Sequence, residues 1–78
     1  MAKLRLFGPA REAAGVAQTS LPGHCVDDVV TAAAQRFGED FSRILAVSQF
    51  WVNGDDAEGT TLVGDDDEIA IIPPVSGG

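Results

Sequence analysis

The apolar positions of this chain change period several times, and each change marks an element. Lys3-Leu4-Arg5-Leu6-Phe7 alternates polar with apolar, which predicts a half-buried strand with Leu4 and Leu6 inward. The same parity puts Phe7, an aromatic, on the solvent side. Gly8-Pro9 breaks the strand, and Pro9 suits the first turn of a helix, where a missing N–H is no loss. Ala10 to Ala14 then predicts a helix of barely two turns, with Gly15 as its stop. Val16 to Leu21 predicts a weaker strand with Gln18 and Ser20 on its polar face, closed by Pro22-Gly23.

The clearest pattern follows. Val26, Val29, Val30, Ala33, Ala34 and Phe37 form one stripe of a 3.6-residue period, so a helix is expected over 26–37. Asp27 and Asp28 sit in its first turn, where the helix dipole favours negative charge, and Gly38 ends it. Burial of the three valines and Phe37 should contribute about 6–12 kcal/mol at ~1.5–3 each, and Val30→Asp is the expected way to unfold the domain. Phe41 to Leu45 reads as a linker turn. Val47 to Asn53 predicts a strand with Phe50 and Val52 inward and Trp51 on the opposite face. Asn53-Gly54-Asp55 is a tight-turn signal, and Ala57 to Val63 is unpatterned, either a short strand or a loop. After a turn at 64–67, Glu68 to Ile72 is an apolar closing strand with Ile69 and Ile71 on one face. The order fits an α+β roll, a mixed sheet with one long helix across it.

Composition narrows the function. The chain has 78 residues, enough for one small domain, and an apolar fraction of 45%, which argues against disorder. Its single cysteine leaves no intrachain disulfide framework and no multi-cysteine metal or iron–sulfur site. No membrane span or secretory segment is read, so a cytoplasmic location is expected. The formal charge is −7 with only five Lys and Arg, which disfavours nucleic acid as a partner. The acid is concentrated at Asp55, Asp56 and Glu58 and at Asp65 to Glu68. These runs are either solvated loops or a negative face that steers the domain onto basic proteins.

Candidate chemistry in the body of the chain is sparse. His24 and Cys25 are neighbours at a helix start, where side chains usually diverge, and Cys25 reads as an N-cap and a poor substitute for Ser or Thr. The run Asp65 to Glu68 lacks the spacing of a calcium loop, and no phosphate-cradling glycine motif exists. No metal site, resident cofactor or autonomous enzyme activity is expected. The other candidate is the end, Pro73-Pro74-Val75-Ser76-Gly77-Gly78. Two prolines stop the strand at Ile72, and two glycines give a tip without side chains, able to enter a narrow channel. By composition alone it reads equally as a frayed terminus.

The segments Leu6-Phe7-Gly8-Pro9-Ala10-Arg11-Glu12, Val26-Asp27-Asp28-Val29, Val52-Asn53 and Pro73-Pro74-Val75-Ser76-Gly77-Gly78 together decide between these. The chain resembles the small sulfur-carrier subunit of molybdopterin synthase, a β-grasp, ubiquitin-like protein, over essentially its whole length. It departs from that family's pattern at Asp65-Asp66-Asp67, where Asp-Gly-Asp is usual, and at Cys25, where Thr is common. The resemblance implies a β-grasp domain over 1–72 and an extended tail over 73–78. It implies that an adenylating enzyme similar to ubiquitin activators, using ATP and Mg²⁺, activates Gly78, next to Gly77. A persulfide donor then supplies the sulfur of a Gly78 thiocarboxylate. The tail would enter the large synthase subunit, in a heterotetramer, and give its sulfur to the pterin precursor to form the dithiolene that holds molybdenum. Partner contacts are expected at Phe7, Arg11, Ile72, Pro73, Pro74, Val75 and Ser76, with Phe7 and Ile72 forming an exposed apolar patch if the first and last strands are neighbours. The alternatives are a sulfur carrier for thiazole or cysteine synthesis, a ubiquitin-like protein modifier, and a plain binding module.

Overall fold

The computed structural model describes residues 1–74. Five strands and three helices follow in the order β1 (Ala2–Leu6), α1 (Gly8–Ala14), β2 (Gln18–Leu21), α2 (Val26–Phe37), α3 (Glu39–Leu45), β3 (Gln49–Val52), β4 (Asp55–Ala57) and β5 (Glu68–Ile72). The strands form one mixed sheet in the order β2-β1-β5-β3-β4. β1 and β5 are parallel, and the other neighbours are antiparallel. The first and last strands of the sequence therefore lie side by side in the middle of the sheet.

Strand parity sets what is inside. Leu4 pairs with Ile69 and Leu6 with Ile71, and Ile69 and Ile71 pair in turn with Val52 and Phe50. Leu4, Leu6, Ile69 and Ile71 are almost wholly buried, beneath Val26, Val29 and Ala33 of α2. Val30 and Phe37, expected in the core from the stripe, are only half-buried. Val29 is fully buried where Val30 is not, so Val29→Asp is the more disruptive change than Val30→Asp.

The helix over Glu39–Leu45 replaces the expected linker turn. Phe41, Ile44 and Leu45 follow the i, i+3, i+4 rule, and Glu39 and Asp40 occupy the first turn. Gly38 serves as the stop of α2 and the start of α3, with φ 96°, and its carbonyl accepts the Ser42 N–H. The resulting elbow turns Phe41 inward, fully buried, against the Phe37 ring at 5.1 Å. α3 packs on both α1 and α2 and so closes the end of the core.

Residues 58–63 are irregular yet ordered by what their backbone does. The Gly59 carbonyl accepts from Asp27 N–H at 2.9 Å, and the Thr61 carbonyl accepts from Val26 N–H at 3.0 Å. These satisfy donors that every helix start leaves over. Cys25 is the N-cap residue of α2 and makes no side-chain cap, so the loop carbonyls take that role. Asp28 reaches back to accept from His24 N–H at 3.1 Å. Of the two readings open for Ala57 to Val63, the loop holds for 58–63, and Ala57 is the last residue of β4.

Two turns are latched together at the end of β5 where that strand begins. Asn53 has φ 52° and Gly54 φ 86°, the tight hairpin turn that joins β3 to β4. Asn53 Nδ2 donates to Asp67 Oδ1 at 2.9 Å, and Asn53 Oδ1 accepts from Glu68 N–H at 3.0 Å. Asp67 Oδ2 accepts from Gly64 N–H at 2.8 Å, closing the acidic turn on Gly64. The bond from Asn53, and after it the one from Gly64, hold the Asp67 carboxyl below its ordinary value of 3.8.

Two measurements check this account. Phe41→Ala should cost about 3–5 kcal/mol in urea unfolding, and Phe37→Ala distinctly less, because only Phe41 leaves a closed cavity. Equal losses would contradict the placement of α3. Because folding lowers the Asp67 value, its ionised form stabilises the fold above the ordinary carboxylate range, and that stability is lost as pH falls through the lowered value. Asp67→Ala should therefore melt below wild type at neutral pH, with the gap closing once the pH drops below the value of 3.8.

Candidate functional site at the base of the tail

β5 ends at Ile72 because Pro73 and Pro74 have no N–H to give the sheet. Up to that point it is paired on both sides, to β1 and to β3. The tail thus leaves from the centre of the sheet. Its last described residues are Pro73, half-buried, and Pro74, exposed. Val75, Ser76, Gly77 and Gly78, assigned above to partner contact and sulfur chemistry, lie outside the described residues.

Register places Phe7 beside the tail. Leu6 pairs with Ile71, so the next residues along the two parallel strands are Phe7 and Ile72. Phe7 keeps an extended backbone, φ −130° and ψ 154°, and its side chain faces solvent with 44% exposure. Gly8 follows at φ 50°, a left-handed conformation that turns the chain into α1 immediately after the aromatic. The Phe7 carbonyl accepts from Arg11 N–H at 3.3 Å, which puts Arg11 one helical turn above Phe7. Arg11 is exposed and forms no ion pair among the described residues. Phe7, Arg11, Ile72, Pro73 and Pro74 are therefore collected at one end of the sheet.

Three further residues belong to this surface and were not expected there. An open groove of about 280 Å³ is lined by Val47, Gln49, Ile72, Pro73 and Pro74. Gln49 pairs with Ile72. Val47 precedes β3 rather than belonging to it and is 64% exposed. Trp51, two pairs further along, stands beside Ala70 on the outer face and is 37% exposed. Its outward parity was visible in the sequence, but that β3 adjoins β5 was not. The apolar surface thus flanks the tail on both sides, with Phe7 across β1 and Val47 and Trp51 across β3.

Charge is distributed along the same axis. The turn over 64–67 and the residues Asp55 and Asp56 lie where β5 begins, the end away from the tail. On the outer face Arg5 pairs with Glu68 at 3.6 Å. The N-terminal ammonium, by hydrogen bond first and charge second, lowers the Asp65 carboxyl. Among the described residues no group of His, Cys, Asp and Glu side chains is arranged to hold a metal. Cys25 is a free, half-buried thiol at the start of α2. No helix among the described residues is long and apolar enough to cross a membrane.

A mixed sheet with parallel first and last strands, a long helix across one face and a terminus leaving the central strand defines a β-grasp, ubiquitin-like protein. The ThiS family model matches residues 4–78, and the chain belongs to that family of small ubiquitin-fold sulfur carriers. Small archaeal modifier protein 1 from Methanosarcina acetivorans is 31% identical, with a TM-score of 0.80 over 99% of this chain and 95% of that one. A putative molybdopterin converting factor subunit 1 from Pyrococcus furiosus is 27% identical, with a TM-score of 0.79 over 95% of this chain and 97% of that one. A chain in the complex of subunits 1 and 2 of molybdopterin-converting factor from Helicobacter pylori is 26% identical, with a TM-score of 0.72 over 99% and 97%. No curated protein matches the chain.

The surface predicts its own neutrality toward folding. Phe7→Ala and Val47→Ser should change the free energy of unfolding by no more than about 0.5 kcal/mol, since both side chains face solvent. A larger loss in either variant would show that the residue belongs to the core.

Proposed function

We propose that this chain is the sulfur-carrying small subunit of a molybdopterin synthase. The observation that carries the reading is the union of the Pro73-Pro74-Val75-Ser76-Gly77-Gly78 ending with an apolar surface at its base, in a ThiS-family chain. Two solved neighbours whose names include molybdopterin converting factor support the pathway.

The chemistry falls to the terminus. A carboxylate is a poor electrophile, and Gly78 must first be activated. Its oxygen attacks the α-phosphorus of ATP in an adenylating partner, and pyrophosphate leaves. The sulfur of a persulfide donor then displaces AMP from the acyl carbon, giving the thiocarboxylate after the donor's sulfur–sulfur bond is reduced by a thiol. In the large subunit the thiocarboxylate sulfur bonds to a carbon of the pterin precursor as an oxygen leaving group departs. Water then cleaves the Gly78 acyl carbon–sulfur bond, returning the carboxylate and leaving the sulfur for the dithiolene. ATP and Mg²⁺ belong to the activating enzyme. This domain contributes presentation: Pro73 and Pro74 restrict the stalk, and Gly77 and Gly78 pass where a side chain would block. Phe7, Ile72, Pro73 and the groove beside Val47 dock on the partner, with Arg11 at the rim.

A second reading has a specific observation behind it. The 31% identical neighbour is named a modifier protein, so transfer of the activated Gly78 carbonyl to an amine is the competing fate. Both readings use the same activation, and the acceptor separates them.

Intact mass after incubation with an adenylating enzyme, ATP–Mg²⁺ and a persulfide donor should show one oxygen-to-sulfur exchange, and none when Gly78 is deleted. Lysine adducts in place of that exchange would favour the modifier. For docking, Phe7→Ala and Ile72→Ala should each weaken binding to the large subunit by about 1–2 kcal/mol, roughly 5–30-fold. Wild-type affinity in both would sink the assigned surface.

A further inference from the structure

The Asn53–Gly54 turn carries chemistry that the carrier function does not use. An asparagine followed by glycine is the sequence in which a backbone amide most easily attacks the preceding side chain, because glycine offers no steric cover. That cover is absent here. Nothing lies within 4 Å of the place a Gly54 Cβ would occupy, and both residues are exposed.

What restrains Asn53 is its hydrogen bonding. Nδ2 donates to Asp67 Oδ1 at 2.9 Å, and Oδ1 accepts from Glu68 N–H at 3.0 Å. The Asn53 N–H donates to the Glu68 carbonyl at 2.9 Å. Both ends of the side-chain amide are thus fixed, and Cγ cannot rotate toward the Gly54 nitrogen without breaking a bond to a carboxylate. Asp67 is itself fixed by Gly64 N–H at 2.8 Å.

We infer that Asn53–Gly54 is a spontaneous deamidation site and that the Asp67 carboxylate guards it. Water or hydroxide removes the Gly54 amide proton, and that nitrogen bonds to Asn53 Cγ. The Cγ–Nδ2 bond breaks, and ammonia departs with a proton. Water then opens the cyclic imide at either carbonyl and leaves aspartate or isoaspartate at position 53. No oxidant or reductant takes part.

The product works against the latch. Aspartate at 53 replaces the amide donor with a second carboxylate facing Asp67, and like charges at that spacing repel. Isoaspartate also adds a methylene to the backbone of a two-residue turn, whose length fixes the register of β3 on β4. The pairing of Val52 with Asp55 is the first casualty. Deamidation thus loosens the end of β5 opposite the tail and leaves the Pro73–Pro74 stalk chemically intact.

The test follows the mass gain of amide-to-acid exchange in the full chain at neutral pH, with the site assigned by fragmentation. Folded wild type should convert more slowly than the same chain unfolded in urea. Asp67→Ala should convert about tenfold faster than folded wild type, the factor for losing one charge-assisted hydrogen bond. Asp67→Asn, which retains one acceptor, should fall between the two, and it decides the matter if the alanine variant is unfolded by circular dichroism. Asn53→Asp should melt below wild type at neutral pH, with the gap narrowing as both carboxylates protonate. The inference is overturned if folded wild type converts as fast as the unfolded chain, or if neither Asp67 variant outpaces it. Wild-type melting of Asn53→Asp at neutrality would overturn the damage to the latch.

Discussion

The parallel pairing of β1 with β5 is the contact on which the other parts depend. It joins Leu4 to Ile69 and Leu6 to Ile71, residues from opposite ends of the sequence, at the centre of the sheet. Neither strand can bury its inner face alone, and each needs α2 above it. Such non-local pairing closes nearly the whole chain into one loop before any gain returns, which makes it entropically slow to form. Once formed, it fixes two things at the same end: where the chain leaves the sheet at Ile72, and where Phe7 stands beside it. The apolar surface at the base of the tail is therefore a consequence of the same register that makes the core.

Irregular segments support this pair through their backbone rather than their side chains. Residues 58–63 cross to the start of α2 and supply the carbonyls that Val26 and Asp27 require. Asp67 ties the turn before β5 to the turn after β3. These links hold the long connections of a small chain whose single cysteine allows no internal disulfide. They also explain why an acidic run need not be a ligand site: one member, Asp67, has both oxygens committed to the fold.

Much of this was legible in the sequence, and what was not has a common cause. The bounds of α2 and β5 follow from periodicity and capping residues, which are local properties. Parity correctly put Phe7 and Trp51 outside and Leu4, Leu6, Ile69 and Ile71 inside. Periodicity reads Phe41 to Leu45 as a linker turn although Phe41, Ile44 and Leu45 carry a helical spacing, because seven residues give too little pattern beside a glycine break. The stripe ranks Val30 with the core valines because it says which side faces the core and not how deep each residue sits. The groove beside Val47 and Gln49 was invisible for another reason: it needs the knowledge that β3 adjoins β5. Neighbour relations in a sheet are written in no single strand.

The position of the tail within the sheet matters more than its composition. A terminus leaving an edge strand would inherit that strand's fraying, and its tip would sample a wide volume. This one leaves a strand hydrogen-bonded on both sides, with Ile71 fully buried one residue before the last paired position. Proline then ends the pairing abruptly and restricts the next two residues. The direction in which the chain leaves the sheet at Pro73 and Pro74 is thus set within the fold. The apolar side chains on either flank are referenced to the same strand, so a partner seated on Phe7 and Val47, as proposed, would find the point where the chain leaves the sheet fixed beside them. A Gly-Gly end on a mobile edge would require the partner to find the tip. Under the proposed docking, the central strand lets a partner locate the exit of the tail by binding its base.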